Sequence, residues 1–516
     1  MLSLDYRRAW QSAKRPLKCS SEKGHSGGTS VGRMMEQRKK ETLSRKSFLK
    51  TVGAGTVGAA LLGAPAALSG CKKGTVETER RPNNVILIII DTLRKDHVGA
   101  YGNDWIETPN LDALAEESLL FTQSHPDAMA TIPARRAIHT GMRTWPTRPP
   151  FYGWKPIPSG QSTLAEILKR HGYRTGLATD NWHLWLPEKM NFERGFEVVR
   201  ALRGQTKDHY REPLSAGADE MDDYLKPVRG YYLRQYLANV QGRESEEDWF
   251  APKVFSAASE LLREVAGGNR PFFLVADSYD PHEPWDPPEE YVELYDEGYK
   301  GKEPIRPLYG KDDYLTDRQL LRMRALYAAE VTMTDLWLGK FLDKARELEV
   351  MQNTMLVVVS DHGHLLGEHG YTGKLAYALY PELTDTVLMV RHPKGAGADK
   401  STDFFASTHD VAPTILGFLG VEPPVPMDGQ DLTPIMEGKE PQRPREHFTQ
   451  GYKYYVCCRD AHRVMFCLSD GTYAHLYDAV NDVGQSRDLV QTEPETVRRM
   501  YEEYAQKDAA GRLPNF

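Results

Sequence analysis

Four segments of this chain are largely apolar, and their spacing sets its architecture. Val85 to Ile90 is an unbroken run of Val, Ile and Leu, and Arg174 to Ala178, Pro271 to Ala276 and Met355 to Val359 read alike. Such β-branched runs predict strands buried on both faces of a parallel sheet, because a strand with one wet face alternates apolar and polar residues. Between them the period becomes helical. Thr108-Pro109-Asn110 precedes Leu111, Leu114 and Leu119. Ser162 and Glu166 accompany Leu164, Ile167 and Leu168, and Gln319 to Glu347 predicts a long helix. Strands alternating with helices predict an α/β fold: a doubly wound, mostly parallel sheet flanked by helices. From about Gly451 onward, short β-type runs and turns predict a small C-terminal antiparallel β subdomain, closed by a helix from Pro494 to Lys507. Segments 204–250 and 285–318, rich in Tyr, Asp, Glu, Arg and Pro, read as insertions or loops that shape access to a site.

In open α/β sheets, ligands sit beyond the carboxyl ends of the strands. Asp91 follows the first run directly, and Asp180 follows the second via Thr179. Asp280-Pro281-His282 comes just after the third, and Asp361-His362 follows the fourth via Ser360. Polar residues from unrelated segments therefore converge on one sheet edge. Asp91 and Asp361 are hard oxygen ligands and His362 a borderline nitrogen ligand. With the Thr131 oxygen they form a candidate set for one divalent cation. Carboxylate and hydroxyl oxygens suit Ca²⁺, Mg²⁺ or Mn²⁺, and the imidazole admits Mn²⁺ or Zn²⁺.

The 516 residues are 40% hydrophobic and 27% charged, enough for one large α/β domain with additions or for several domains. The net charge is −7, but the first fifty residues are basic, with thirteen Lys and Arg against four Asp and Glu. The remainder is strongly acidic, which argues against a nucleic-acid partner, since backbone binding needs a basic surface.

The basic start reads as an address. Ser44-Arg45-Lys46-Ser47-Phe48-Leu49-Lys50 resembles the twin-arginine export motif, with Lys46 at the second Arg. A weakly apolar Gly- and Ala-rich run from Thr51 to Leu68 suits a signal peptide better than a permanent membrane helix. Leu68-Ser69-Gly70-Cys71 resembles a bacterial lipobox, so cleavage before Cys71 and lipidation of its thiol are expected. The expected organisation is residues 1–71 as N-terminal extension and lipoprotein signal, 72–83 as polar tether, 84–450 as catalytic α/β domain and 451–516 as C-terminal subdomain. The expected location is the extracytoplasmic face of a bacterial envelope membrane, held by lipid.

Five cysteines are too few for a disulfide scaffold. Tyr454 to Cys457 and Val464 to Cys467 flank Arg459-Asp460-Ala461-His462, which predicts a hairpin setting Cys457 opposite Cys467. Export would permit a disulfide there; packing cysteines are the equal alternative.

An ordered series of motifs carries a resemblance to a known family. Asn84 to Asp91 is followed by Leu93-Arg94 and Gly99-Ala100-Tyr101-Gly102, then by Thr108-Pro109-Asn110-Leu111-Asp112. Thr131-Ile132-Pro133-Ala134-Arg135 leads to Thr140-Gly141. Asp280 to Pro284, Ser360 to Gly363, Gly367 to Gly370, Gly373-Lys374, Asp410 to Thr414 and Met427-Asp428-Gly429 complete it in order. From about Asn84 to about Leu489 the chain resembles the sulfatase family of the alkaline-phosphatase superfamily. The resemblance implies a metal-dependent ester hydrolase acting on a small or polymeric anionic ester. It implies Asp91, Asp361 and His362 as ligands to one divalent ion, Ca²⁺ first, with Thr92 a weaker candidate in a position where many members have Asp. Thr131 stands at the nucleophile and metal-bridging position. Arg135 is implied to orient the nucleophile, and His282 and Lys374 to bind the non-bridging oxygens or protonate the leaving oxygen. Arg136, His139, His364 and His369 read as structural residues. Asp180, Trp182 and His183 read as pocket lining.

One residue departs from the pattern. The family oxidises a Cys or Ser at the position of Thr131 to formylglycine, whose hydrate carries two hydroxyls: one attacks sulfur and the other expels sulfate. Threonine has one. Superfamily members that use Thr or Ser directly act on phosphate esters, so Thr131 shifts weight toward phosphate or phosphonate esters. The rivals are a catalytically degenerate protein that binds metal and anionic esters, and a group transferase.

Overall fold

The computed structural model describes residues 83–146, 153–185, 189–217, 219–225, 230–510 and 512–513. The expected export signal, the lipidation site at Cys71 and nearly all of the tether lie outside them. Among the described residues no helix is long and apolar enough to cross a membrane.

The apolar runs form the centre of an eight-stranded sheet. Its strands in chain order are β1 (Asn84–Ile90), β2 (Leu119–Phe121), β3 (Arg174–Thr179), β4 (Val198–Ala201), β5 (Phe272–Ser278), β6 (Thr354–Ser360), β7 (Leu388–Arg391) and β8 (Lys400–Thr402). They lie in the order β8-β2-β7-β6-β1-β5-β3-β4. Only β7 runs antiparallel to its neighbours. All seven residues of β1, β5 and β6 are buried, the burial expected of central parallel strands. One face of the sheet is covered by α3 (Leu164–Arg170) and α7 (Val411–Leu419), whose Leu164, Leu168, Val411 and Ile415 join Val85, Leu87 and Ile89 in the core. On the other face α5 (Phe250–Ala266) packs on β5 and β3, and α6 (Asp317–Glu347) packs on α5.

Helix boundaries correct one expectation. Leu119 does not belong to the helix after Thr108. That helix, α1 (Pro109–Glu116), stops three residues earlier, and Leu119 opens β2. The cap of α3 is Thr163: its hydroxyl accepts from Glu166 N and Glu166 accepts from Thr163 N. Within the stretch 204–250, α4 (Gly230–Val240) forms around buried Leu233, Tyr236 and Leu237.

The C-terminal sheet has four antiparallel strands, β9 (His447–Tyr452), β10 (Tyr455–Asp460), β11 (Arg463–Leu468) and β12 (His475–Asp478), in that order. After it α8 (Pro494–Met500) continues through a π-type stretch, Tyr501–Gln506. The hairpin between β10 and β11 forms, but its register differs from the expected one. Cys457 pairs with Phe466, and Cys467 with Val456. One residue of register moves a side chain to the opposite face. Cys457 therefore packs beside Phe466 and Tyr477 while Cys458 and Cys467 enter a separate cluster with Met465 and Met500. All three thiols are free and buried.

Candidate functional site

Strand register brings the first two acids together. Ile90 lies level with Ser278 of β5 and Ser360 of β6. The next residues, Asp91 and Asp361, thus leave the sheet side by side, both with no exposed surface. The turn after β1 ties them: Thr92, at φ 61°, donates its N–H to Asp361 Oδ1 at 3.0 Å and its hydroxyl to Asp91 Oδ1 at 2.6 Å. In this geometry Thr92 orients the carboxylates. Tyr327 of α6 braces the turn by donating to Thr92 O at 2.8 Å.

Thr131 is the first residue of α2 (Thr131–Thr140) and is 2% exposed. A helix N-terminus favours negative charge on an oxygen placed there. Arg135, one turn on, is buried completely among three acids. Its Nη1 is 2.5 Å from Asp361 Oδ2 and 3.0 Å from Asp91 Oδ2. Its Nε and Nη2 form a bidentate pair with Asp277 at 2.9 and 2.7 Å. This fork fixes the start of α2 against the strand ends, as a planar guanidinium can and a flexible ammonium cannot.

Asp277 was missed in the sequence. It sits one residue before the end of β5, level with Ile89 of β1. The strand-end rule that selects Asp91 and Asp361 would have selected it too, but the acid and histidine after it, Asp280 and His282, drew the reading past it. Asp277→Asn keeps the shape and removes one charge facing buried Arg135. It should lower unfolding stability by about 2 kcal/mol in urea titration, the scale of a charged hydrogen bond. An unchanged midpoint would show that Asp91 and Asp361 suffice to hold Arg135.

The third ligand candidate is His362. Its Nδ1 lies 3.0 Å from the Gly363 carbonyl, which only accepts, so Nδ1 carries the hydrogen. Its Nε2 lone pair then faces Asp361 Oδ2 at 3.5 Å and Asp91 Oδ1 at 3.9 Å. Burial holds the ring down to about 4, against the attraction of Asp361. Burial, with the Asp361 charge beside it, pushes Asp91 well above the usual carboxylate range. His362 Nε2 and Asp91 Oδ2 are both buried without a hydrogen-bond partner, although the latter keeps its ion pair with Arg135. One donor atom from each of Asp91, Asp361 and His362 lies within 4.8 Å of the others. Lone pairs aimed at one another across a buried gap fit a cation between them.

A second group faces this one. Lys374 Nζ is 2.7 Å from His282 Nε2 and 3.3 Å from Glu283 Oε2. His282 Nδ1 donates to the Glu283 carbonyl at 2.8 Å, so Nε2 accepts from Lys374. Burial lowers His282 well below the ordinary histidine range. Glu283 has no exposed surface; burial opposes its charge, but the Lys374 ammonium beside it holds it well below the usual range. Tyr309 donates to its other oxygen at 2.5 Å. Glu283 is thus the carboxylate that organises His282 and Lys374, a role with no sequence signal beyond adjacency to His282.

The remaining residues sort by contact. Asp180 is wholly buried and accepts from Tyr279 N and Gln205 Nε2. His139 packs against Phe192, His369 stacks on Tyr380, and Arg136 donates to the Gly153 carbonyl. His364 packs against Trp285, with its Nδ1 3.6 Å from Glu283 Oε2. The Trp182 and His183 rings lie tilted against each other at 4.1 Å between centroids, and His183 lies 6.1 Å from Tyr279.

A mostly parallel sheet carrying acids at its central strand ends, beside a helix that begins on a hydroxyl residue, defines an ester hydrolase with the alkaline-phosphatase and sulfatase fold. The chain belongs to the sulfatase family: the model of that family matches residues 83–421, and the model described as N-sulphoglucosamine sulphohydrolase, C-terminal, matches residues 367–514. It is a sulfatase-like ester hydrolase. It is 26% identical over 399 residues to an arylsulfatase of Clostridium perfringens, covering 69% of this chain and 78% of that one. It is 26% identical over 428 residues to human arylsulfatase A, covering 77% and 75%. The solved phosphonate monoester hydrolase of Agrobacterium radiobacter shares the fold with a TM-score of 0.66 at 21% identity, covering 83% of this chain and 95% of that one.

Proposed function

We propose that the protein hydrolyses sulfate, phosphate or phosphonate esters with Thr131 as an unmodified nucleophile at a one-metal site. The observation that carries this reading is Arg135: it joins the first turn of α2, where Thr131 stands, to Asp91 and Asp361 through buried contacts of 3.0 and 2.5 Å. Asp91, Asp361 and His362 would hold a divalent cation, Ca²⁺ by family resemblance, which when bound supplies charge stabilisation for oxygen at the reacting centre.

The chain's own residues supply the rest. Thr131 Oγ loses its proton to solvent as it bonds to sulfur or phosphorus. The bond to the leaving oxygen breaks, and that oxygen takes a proton from Lys374. Neutral His282 accepts a hydrogen bond from Lys374 and so aims the ammonium. With no second hydroxyl on Thr131, water then attacks the sulfur or phosphorus of the threonine ester. One water proton returns to Thr131 Oγ and the other to Lys374. The N-terminal motifs support an exported protein anchored by lipid on Cys71.

An assay panel tests the reading: an aryl sulfate, an aryl phosphate, a phosphodiester and a phosphonate monoester, each with and without added metal. At least one lane should turn over. A blank panel with metal bound would replace catalysis by binding. Metal binding itself has a readout apart from activity. At a free metal concentration about 100 times Kd, binding to the native state adds about 2.7 kcal/mol. Chelation should therefore lower Tm by several degrees and metal addition restore it, whereas His362→Ala should abolish the response. A Tm indifferent to chelator and metal would remove the cation from the proposal.

A further inference from the structure

Beyond the catalytic groups, two cations share one aromatic ring. Lys207 Nζ lies 4.8 Å from the Tyr232 ring centroid, and the Arg306 guanidinium carbon lies 5.1 Å from the same centroid. Lys207 also lies 5.8 Å from the Trp182 ring. Both residues are half-buried. Among the described residues neither charged end has an ion-pair or hydrogen-bond partner. A ring can attract a cation, but two cations on one ring repel each other, and an anion beside them relieves the repulsion.

The pair is coupled to the catalytic groups. The Lys207 charge acts on His183, as do those of Arg135 and Lys374. The Arg306 charge reaches Tyr279, Glu283 and Tyr309. A continuous row of rings runs inward from Trp182 through His183 and Tyr279 to His282, the last two stacked at 4.1 Å.

Both cations stand on braced backbone. Buried Gln205 donates its amide to Asp180 Oδ2 at 3.1 Å and Asp280 Oδ1 at 2.8 Å, and its own oxygen accepts from Thr206 N at 2.9 Å. Two acids near the ends of β3 and β5 thereby hold the loop that carries Lys207. Arg306 follows buried Ile305, whose carbonyl accepts from Trp285 N at 2.7 Å, two residues beyond Glu283. Cations pre-positioned in this way lose little entropy on binding an anion.

We propose that Lys207 and Arg306, which share the Tyr232 ring, form an accessory subsite for a second anionic group on the leaving portion of the ester, so that the preferred substrate is a polyanion. The inference rests on the reading that the ester reacts at Thr131. Linear alkanediol bis-sulfates of increasing length, compared with the matching mono-sulfates, test it by calorimetric binding to the metal-loaded protein. At one length the bis-sulfate should bind about 10-fold tighter or more, the scale of one charge-assisted contact. Lys207→Met and Arg306→Met should each remove most of that advantage and leave mono-sulfate affinity within about 2-fold, while Lys207→Arg should keep it. Equal affinity for both series at every length, or equal losses for both in the variants, would overturn the subsite. A bis-sulfate advantage in a protein that turns over no ester would overturn the hydrolase reading and leave the subsite standing.

Discussion

Thr131→Ala lowers kcat/KM by about 10⁴- to 10⁶-fold toward every ester the protein cleaves, the range seen when a hydrolase loses its nucleophile but keeps its binding groups. The fold should persist, because Arg135 still holds the start of α2 through Asp277, Asp91 and Asp361. Thr131→Ser should retain activity within about 10-fold, since the attacking hydroxyl remains and only a methyl is lost. Two signatures go with the expected rates. Rapid quenching during turnover should trap the Thr131 peptide heavier by one sulfuryl or phosphoryl group. A single turnover in heavy-oxygen water should place one heavy oxygen in the released anion, because water attacks sulfur or phosphorus to clear the threonine ester. Full activity in Thr131→Ala would end the assignment of the nucleophile.

Lys374→Ala should lower kcat by about 10³-fold, comparable to removing one pre-aimed donor to an oxyanion. The loss has two sources. Lys374 is the donor that His282 Nε2 aims at 2.7 Å, and it neutralises Glu283, which is wholly buried. Without it an unpaired carboxylate is left beside the pocket, repelling an anionic substrate. If Lys374 protonates the leaving oxygen, the deficit should be steepest for basic leaving groups and shrink for acidic phenols. A uniform deficit across leaving groups would instead assign it to the non-bridging oxygens, and an unchanged kcat would remove it from the site. His282 is the weaker candidate for the acid's role: burial holds it well below the ordinary histidine range, which disfavours its protonated form.

The legible parts of the molecule are those that depend on local pattern. The strand runs needed no tertiary information, because a strand covered on both faces must be apolar throughout, and β1, β5 and β6 are buried along their whole length. Asp91 and Asp361 were legible for the same reason, as polar residues that end such runs. Asp277 follows the same rule one residue before the end of β5, but the Asp280-Pro281-His282 segment just beyond is the more conspicuous polar signal. Glu283 and Gln205 were invisible because their partners are distant in sequence: Lys374 is 91 residues from Glu283, and Asp280 is 75 from Gln205. The cysteine hairpin shows the limit of pattern in another way. Its strands were evident, but pairing Cys457 with Phe466 rather than Cys467 depends on one residue of register, to which apolar content on both faces is blind.

The sequence by itself therefore determined the sheet, the strand ends that carry the candidate site, and the family, together with the threonine that stands where the family has a Cys or Ser precursor of formylglycine. Tertiary structure decided which charges meet. Parallel register sets Asp91 beside Asp361, and the α2 turn drives Arg135 among three acids. The packing of Tyr279, His282 and Glu283 around Lys374 builds the second half of the site. The physical reason is that burial and periodicity are properties of a segment and are written in its composition. A buried charge is tolerated only when its counter-charge arrives from elsewhere, and that arrival is a property of the fold.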